Sequence, residues 1–371
     1  RNLYGLLIAF KYNNTMKYKN TDIQNTYVNE IEKAGDSAYS IVKPEAFCKS
    51  IRDLGYRSVA KALFEHVDNA LQAEANSVHI ASEVKAPAKS KSHIRNLAII
   101  DDGHGMLPSM IRAAVTWGGG TRQENRDGYG RFAFGLQSSA VSLTEQFSVY
   151  SKVEDGEWHI VSIDLKAIVE GKWTNDQGLV VVPEAQKTTL PTFVTNYLEK
   201  ESLTLTSGTV VVLENPDRLR NGYASYGSFT QKMLYEIGIT YLDVIDSKNL
   251  IVNGERAEKI DPTFLDPKGR GYDVGNGIMA EDHGTAVIKL KTKDGEELPG
   301  EVRIKYSYLP RMFNRTDTKL NDRNDIMKDN NAFFLVYRHG RLIDRVTRAR
   351  FPNEGFRKTL GNNDRHWVAL L

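Results

Sequence analysis

The chain has 371 residues, 40% hydrophobic and 26% charged, and 49 Lys and Arg against 47 Asp and Glu leave a formal charge of +2. That length leaves room for two domains with cores of their own, and no run of about 18 apolar residues offers a membrane span, so no membrane partner is expected. A single cysteine, Cys48, excludes an intrachain disulfide and a multi-cysteine metal site, which makes a reducing, cytoplasmic location the expectation.

Residues 1–40 show no convincing periodicity and read as a disordered tail, with Met16 as the expected natural start. The apolar run over 3–10 is too short to span a membrane and lacks a small-residue cleavage site. A helix over 43–54 leads through Gly55 into an amphipathic helix over 56–75. Alternating, β-branched strands follow over 77–84 and 94–100. After DDGHGM come a short helix over 108–116 and a polar, glycine-rich stretch that cannot pack as a regular element. A helix over 136–143, strands over 147–152 and 158–165, a buried strand over 207–214 and a helix over 226–240 complete a first domain, 41–245. The texture then changes, and strands over 286–290, 301–309 and 332–336 mark a second α+β domain over 246–371. The sequence closes on HWVALL, which reads as the start of a strand, so the second domain is expected to be incomplete.

Three polar signals interrupt this pattern. Glu65 and Asn69 are spaced i, i+4 and share one helix face. A carboxylate there suits the activation of an attacking water, and an amide oxygen one turn on suits Mg²⁺; a solvated face is the bland alternative. Asp101 ends a strand, where a carboxylate that only accepts hydrogen bonds suits an exocyclic amine such as that of adenine. Gly103 and Gly105 permit sharp bends and close approach of a flat ring, although a plain turn leaving the strand explains the same residues. The segment from Gly128 to Gly135 runs into a helix, as loops that offer amide N–H groups to phosphates do. Its G-x-G-x-x-A spacing also fits a dinucleotide turn, but such a turn follows a strand directly, and no G-x-x-x-x-G-K-[ST] occurs.

In this order, FEHVDNA (64–70), DDGHGM (101–106), GRFAFGLQSSA (130–140) and SGTVVVLE (207–214) resemble the GHKL family. Type II DNA topoisomerases, the heat-shock chaperone of that class, sensor histidine kinases, MutL and the MORC proteins share its fold. The later YLDVIDSKNLIVNGERAEKIDPTFLDP and FFLVYRHGRLI look like bacterial MORC-like or chaperone-like ATP-binding proteins, in which a second domain follows the nucleotide domain. The resemblance implies an α+β chain: a Bergerat α/β sandwich with a mixed, mostly antiparallel sheet, then a partial ribosomal-S5-like transducer. It implies ATP and Mg²⁺ as cofactors, Glu65 as the water-activating base and Asn69 as the Mg²⁺ ligand. Asp101 would accept from the adenine amine, Gly103, Gly105 and Met106 would shape that wall, and Thr209 would join Asp101. Gly130, Arg131, Phe132, Ala133, Phe134 and Gly135 would line the phosphates. The whole polar turn of LFEHVDNAL would face the nucleotide, with His66 structural.

The implied activity is ATP hydrolysis in which Mg-ATP closes a lid over 107–130 and clamps two copies together. DNA is suggested as the client by eight Lys and Arg against three Asp and Glu over 334–371. The alternatives are a nucleotide-gated interaction module with little hydrolysis and a chaperone acting on proteins. A sensor kinase is set aside, because that class lacks a transducer and no phosphoacceptor-histidine helix lies upstream. Two residues depart from the family pattern: Ala133 stands at the middle glycine of the phosphate loop, and Gln72 replaces a frequent aspartate. The resemblance implies a transducer lysine that reaches the γ-phosphate from a late loop, and that loop is expected to lie past HWVALL. The expectation is therefore ATP binding with slow hydrolysis.

Overall fold

The computed structural model describes residues 43–53, 55–56, 58–84, 89, 91–118, 134–272, 277–314, 321–331, 333–347 and 366–371. The tail expected over 1–40 and most of the glycine-rich stretch lie outside them. The chain divides after Ser50. Helix α1 spans Pro44–Asp53, and the unit from Ile51 to Leu371 holds two sheets.

Helix α2, Val59–Gln72, starts later than the expected 56 because Ser58 is extended and caps it, its hydroxyl accepting from the Lys61 amide at 3.1 Å. Its apolar face, Val59, Leu63, Phe64, Val67 and Ala70, is fully buried. Strands β1 (Ser77–Val84) and β2 (Ile94–Asp101) pair antiparallel. Then come α3 (Pro108–Ala114), α4 (Gly135–Leu143), β3 (Gln146–Lys152) and β4 (His159–Asp164). Asp164 caps the short α5 (Leu165–Val169) by accepting from the amides of Lys166 and Ala167. Short β5 (Gln186–Lys187), α6 (Thr192–Lys200), β6 (Gly208–Glu214) and α7 (Tyr226–Thr240) follow.

The first sheet has eight strands in the order β5-β4-β3-β6-β2-β1-β7-β8, with β7 (Asn249–Val252) and β8 (Glu255–Arg256) at its far edge. Only β1 and β7 run parallel, so it is mixed and mostly antiparallel, as expected. β6 lies between β2 and β3 and is buried from Gly208 through Leu213, which is why it reads as an unbroken apolar run. Ala98, Ile100, Tyr150, Val210 and Val212 form one core face with Val194 of α6, backed by Phe193 and Leu198. By strand alternation, Ile99 and Asp101 point to the other face. Helices α2 and α4 pack on each other, α2 reaching β1 and β2, and α4 reaching β3.

The boundary expected at 246 moves. Strand β7 pairs with Ser77–Ile80 of β1, so the first sheet continues to Arg256. Asn253 fixes the turn that follows: its side chain accepts from the Ser82 amide and donates to the Thr230 hydroxyl, both at 2.7 Å.

The second sheet has the order β12-β11-β13-β10-β9, from β9 (Glu281–Lys291), β10 (Glu297–Tyr308), β11 (Phe333–Arg338), β12 (Arg341–Thr347) and β13 (Trp367–Leu370). The apolar WVAL segment is an inner strand, antiparallel to β10 and parallel to β11. Helix α8, Asn321–Asn330, is too polar to show an apolar stripe in the sequence, yet Ile326 and Met327 are buried with Leu309, Phe313, Ile260 and Ile239. No helix among the described residues is long and apolar enough to cross a membrane.

At the end of α7 the packing is tight. Gly238 accepts from the Ile260 amide at 3.1 Å, and a Cβ there would overlap the Glu258 carbonyl oxygen. Helix propensity alone favours Gly→Ala by about 1 kcal/mol, while overpacking costs about 1–3 kcal/mol. Gly238→Ala is therefore expected to destabilise the protein, seen as a lower urea midpoint at unchanged m value.

Candidate functional site

Three elements converge where β2, β6 and β3 end side by side. The register aligns Asp101 with Thr209, and Thr209 with Ser151. Asp101 is buried, and its Oδ1 accepts from the amides of Gly103 at 2.9 Å and Thr209 at 3.3 Å. Oδ2 has no hydrogen-bond partner among the described residues, which leaves an acceptor at the head of the strand. Burial pushes the Asp101 carboxyl up to about 6, against the pull of those two amides.

The turn after Asp101 folds back across the neighbouring strand ends. Gly105 has φ +69°, and a Cβ on it would overlap the Lys152 carbonyl. At Gly103 a Cβ would come within 2.6 Å of the Ala73 carbonyl oxygen, at the end of α2. The Met106 amide donates to the Ser151 hydroxyl at 2.9 Å, and that hydroxyl also bonds the Gly208 carbonyl and lies 3.0 Å from the Thr209 hydroxyl. Ser207 donates to the Gly103 carbonyl at 2.8 Å. Ser151 and Ser207 have no motif to announce them. Asp102 is structural, accepting from the amides of Asn76 and Ser77 and so starting β1.

Glu65 and Asn69 lie half-buried on α2. The Tyr56 hydroxyl lies near enough to the Glu65 carboxylate to favour its charged form. The carboxylate occupies the space left by the missing side chain of Gly135, where a Cβ would lie 2.6 Å from Oε2. Burial pushes Glu65 above its ordinary 4.5, opposed by the charge of Arg341 and by Tyr56. The Asn69 amide has no partner among the described residues. Gly135 opens α4, with half-exposed Phe134 before it. Gln137 of α4 donates to the carbonyls of Ala114 and Thr116 at 2.7 and 2.8 Å, fastening the end of α3. Gly130, Arg131, Phe132 and Ala133 lie outside the described residues.

Asp68 corrects the expectation that the whole polar turn faces one ligand. It is 4% exposed and bonded by Tyr241 and Arg341. The step of one residue along the helix directs Asp68 about 100° away from Asn69. His66 is structural: its buried ring meets the Ser139 hydroxyl at 3.0 Å, and burial lowers it to about 4, so it stays neutral.

Residues 56–193 match the family described as histidine kinase-, DNA gyrase B-, and HSP90-like ATPase. This segment is a GHKL-type ATPase domain. No curated protein matches the chain. The matched part of the GHKL domain carries Glu65, Asn69, Asp101, Gly103, Gly105, Met106 and Gly135, and Thr209 joins them through β6. A GHKL domain implies ATP binding, and the residues suit it: a free carboxylate oxygen for an amine, backbone bends that tolerate no side chain, and an unpartnered amide. No group of three His, Cys, Asp or Glu among the described residues would hold a metal. Magnesium at Asn69 would therefore complete its shell with phosphate and water oxygens.

Gly105→Ala places a Cβ against backbone at positive φ, so it is expected to move the turn that carries Met106. Calorimetry should show ATP affinity falling at least about tenfold, with the thermal midpoint also lowered.

Proposed function

We propose that the chain hydrolyses Mg-ATP, with Asp101 receiving the adenine amine, Asn69 contributing an oxygen to Mg²⁺, and Glu65 taking the proton of the attacking water. The observation that carries this reading is the placement of Glu65: a half-buried carboxylate in the space beside Gly135 at the start of α4, one turn from an unpartnered Asn69. Magnesium would neutralise phosphate charge; the protein supplies orientation and proton transfer. Met106 and Thr209 set the adenine wall. Gly130, Arg131, Phe132, Ala133, Phe134 and Gly135 line the phosphates in this reading, supported by Gly135 beginning α4 beside Glu65.

The second sheet is read as a transducer, and ATP-dependent pairing of two copies follows from the resemblance to MORC-like and chaperone-like proteins. DNA as client rests on the basic bias over 334–371. Within it, Arg341 and Arg345 face Asp68 and Glu236, so phosphate contacts would fall to the other basic residues.

The test is titration calorimetry and steady-state hydrolysis with two variants. Asp101→Asn removes the charged acceptor and should weaken ATP binding by about 10–150-fold; Glu65→Gln should keep binding and lower turnover by about 10²–10⁴-fold. Because the Asp101 carboxyl is raised to about 6, wild-type affinity should decline as pH falls through that value, and Asp101→Asn should abolish this dependence. Wild-type turnover equal to that of Glu65→Gln would reduce the reading to a nucleotide-gated binding module.

Gly135→Ala offers a milder check. The added Cβ meets only the end of a flexible side chain, so stability should hold while the Glu65 carboxylate is displaced. Turnover is expected to drop roughly tenfold with the thermal midpoint unchanged.

A further inference from the structure

Among the described residues, the second sheet meets the helix of the candidate site at the β11–β12 hairpin. Strands β11 and β12 are joined by His339 and Gly340, with φ of 51° and 72°, both in the left-handed region that tight hairpin turns use. The turn lies on Asp243, where a Cβ on Gly340 would come within 2.8 Å of the Asp243 Cβ. On β11 the Tyr337 hydroxyl donates to the Ile239 carbonyl at 2.7 Å, and on β12 Arg345 stands 3.5 Å from Glu236 of α7. The first residue of β12 is Arg341. Its guanidinium grips Asp68 with two parallel contacts, Nε to Oδ1 at 2.8 Å and Nη2 to Oδ2 at 2.6 Å.

The grip is buried on both sides, with 16% of the Arg341 side chain and 6% of the Asp68 side chain exposed. Tyr241 completes it: its hydroxyl donates to Asp68 Oδ1 at 2.8 Å, and its ring packs edge-on against Phe64 at 5.3 Å. Asp68 lies one turn from Glu65 on the same helix, and the Arg341 charge acts on both carboxylates. Among the described residues, the charged or titratable groups that act on Glu65 are Tyr56 before α2, Asp68 on α2 and Arg341 on β12.

We propose that Arg341 is a positioning residue for Glu65, acting through its buried pair with Asp68 one turn away on the same helix, so that the placement of the second sheet sets the geometry of the hydrolytic base. Displacement of the hairpin withdraws a cation from Glu65 and leaves Asp68 buried without its partner, which strains the helix carrying Glu65 and Asn69. The adenine wall on β2 and β6 makes no use of Arg341, so nucleotide affinity is set apart from hydrolysis. This rests on the proposed hydrolytic reading, and its test includes a measurement that does not.

The experiment uses the full chain with Arg341→Gln, Arg341→Lys, Asp68→Asn and the Asp68→Asn/Arg341→Gln pair. The Glu65 carboxyl is titrated without nucleotide by carbon-13 NMR, assigned with Glu65→Gln, and ATP affinity and turnover are measured in parallel. Arg341→Gln is expected to raise the Glu65 midpoint, move the acidic limb of turnover to higher pH, and lower turnover at neutral pH about tenfold, with ATP affinity within about threefold of wild type. Arg341→Lys, which keeps charge but loses the fork, should shift the midpoint less in the same direction. The paired variant should turn over no more slowly than the slower single variant. A Glu65 midpoint unchanged in Arg341→Gln overturns the proposal; if that variant does not fold, an unchanged midpoint in Arg341→Lys does so. A raised midpoint in a protein that hydrolyses no ATP upholds the positioning role and discards the hydrolytic reading instead.

Discussion

The buried ion pair between Asp68 and Arg341 ties a strand of the second sheet to the helix that carries Glu65 and Asn69. A carboxylate taken out of water inside a helix costs several kcal/mol unless a partner of good geometry meets it. Arg341 can meet it only if β12 begins at this point on α2, and that in turn demands the tight His339–Gly340 turn on Asp243. Tyr241 fills the remaining lone-pair direction on Asp68 Oδ1 and closes the site with its ring. With Asp68 fixed toward the second sheet, helical periodicity leaves Glu65 and Asn69 about 40° apart on a different face. One helix thus serves the sheet core, the second sheet and the candidate cleft with three separate faces.

A second constraint is backbone crowding at the head of β2, β6 and β3. The chain leaving Asp101 crosses so near the ends of β3 and α2 that neither Gly103 nor Gly105 has room for a Cβ. Gly208 answers from β6: its φ is +145°, and a Cβ there would overlap the Asp101 carbonyl. Ser151 and Ser207 then satisfy polar backbone groups of this layer, Ser151 at Met106 and Gly208 and Ser207 at Gly103. Asp101 is held on one oxygen by two amides, so its other oxygen keeps a fixed direction, which is the condition for selective recognition of an amine.

Much of this was legible in the sequence because it depends on local chemistry. Helix α2, strands β1, β2 and β6 and the turn after Asp101 follow from periodicity and from glycines that admit no substitute, and their expected bounds lie within a few residues of those observed. What escaped depends on distant partners. Asp68 reads as one more polar residue of LFEHVDNAL, since nothing within α2 reveals that a residue 273 positions away will pair with it. The segment that forms β7 was assigned to the second domain because the texture of the sequence changes near Leu250, and only its pairing with β1 places it in the first sheet. Helix α8 was missed because eight of its ten residues, NDRNDIMKDN, are polar, and its buried side includes polar Arg323 and Asn330 beside Ile326 and Met327.

The two carboxylates of the candidate site are tuned by different parts of the molecule. Burial raises both Asp101 and Glu65, because water that would solvate the charge is removed. At Asp101 the opposing donors are two neutral amides, from Gly103 and Thr209, both built into the turn and the sheet. At Glu65 the first opposing influence is the full charge of Arg341, carried on a strand of the other sheet. A change confined to the first sheet's turn therefore alters Asp101 and leaves Glu65 alone, while movement of the second sheet does the reverse. On the proposed reading, recognition of a nucleotide and the chemistry performed on it are separable, because the two acids draw their stabilisation from elements that need not move together.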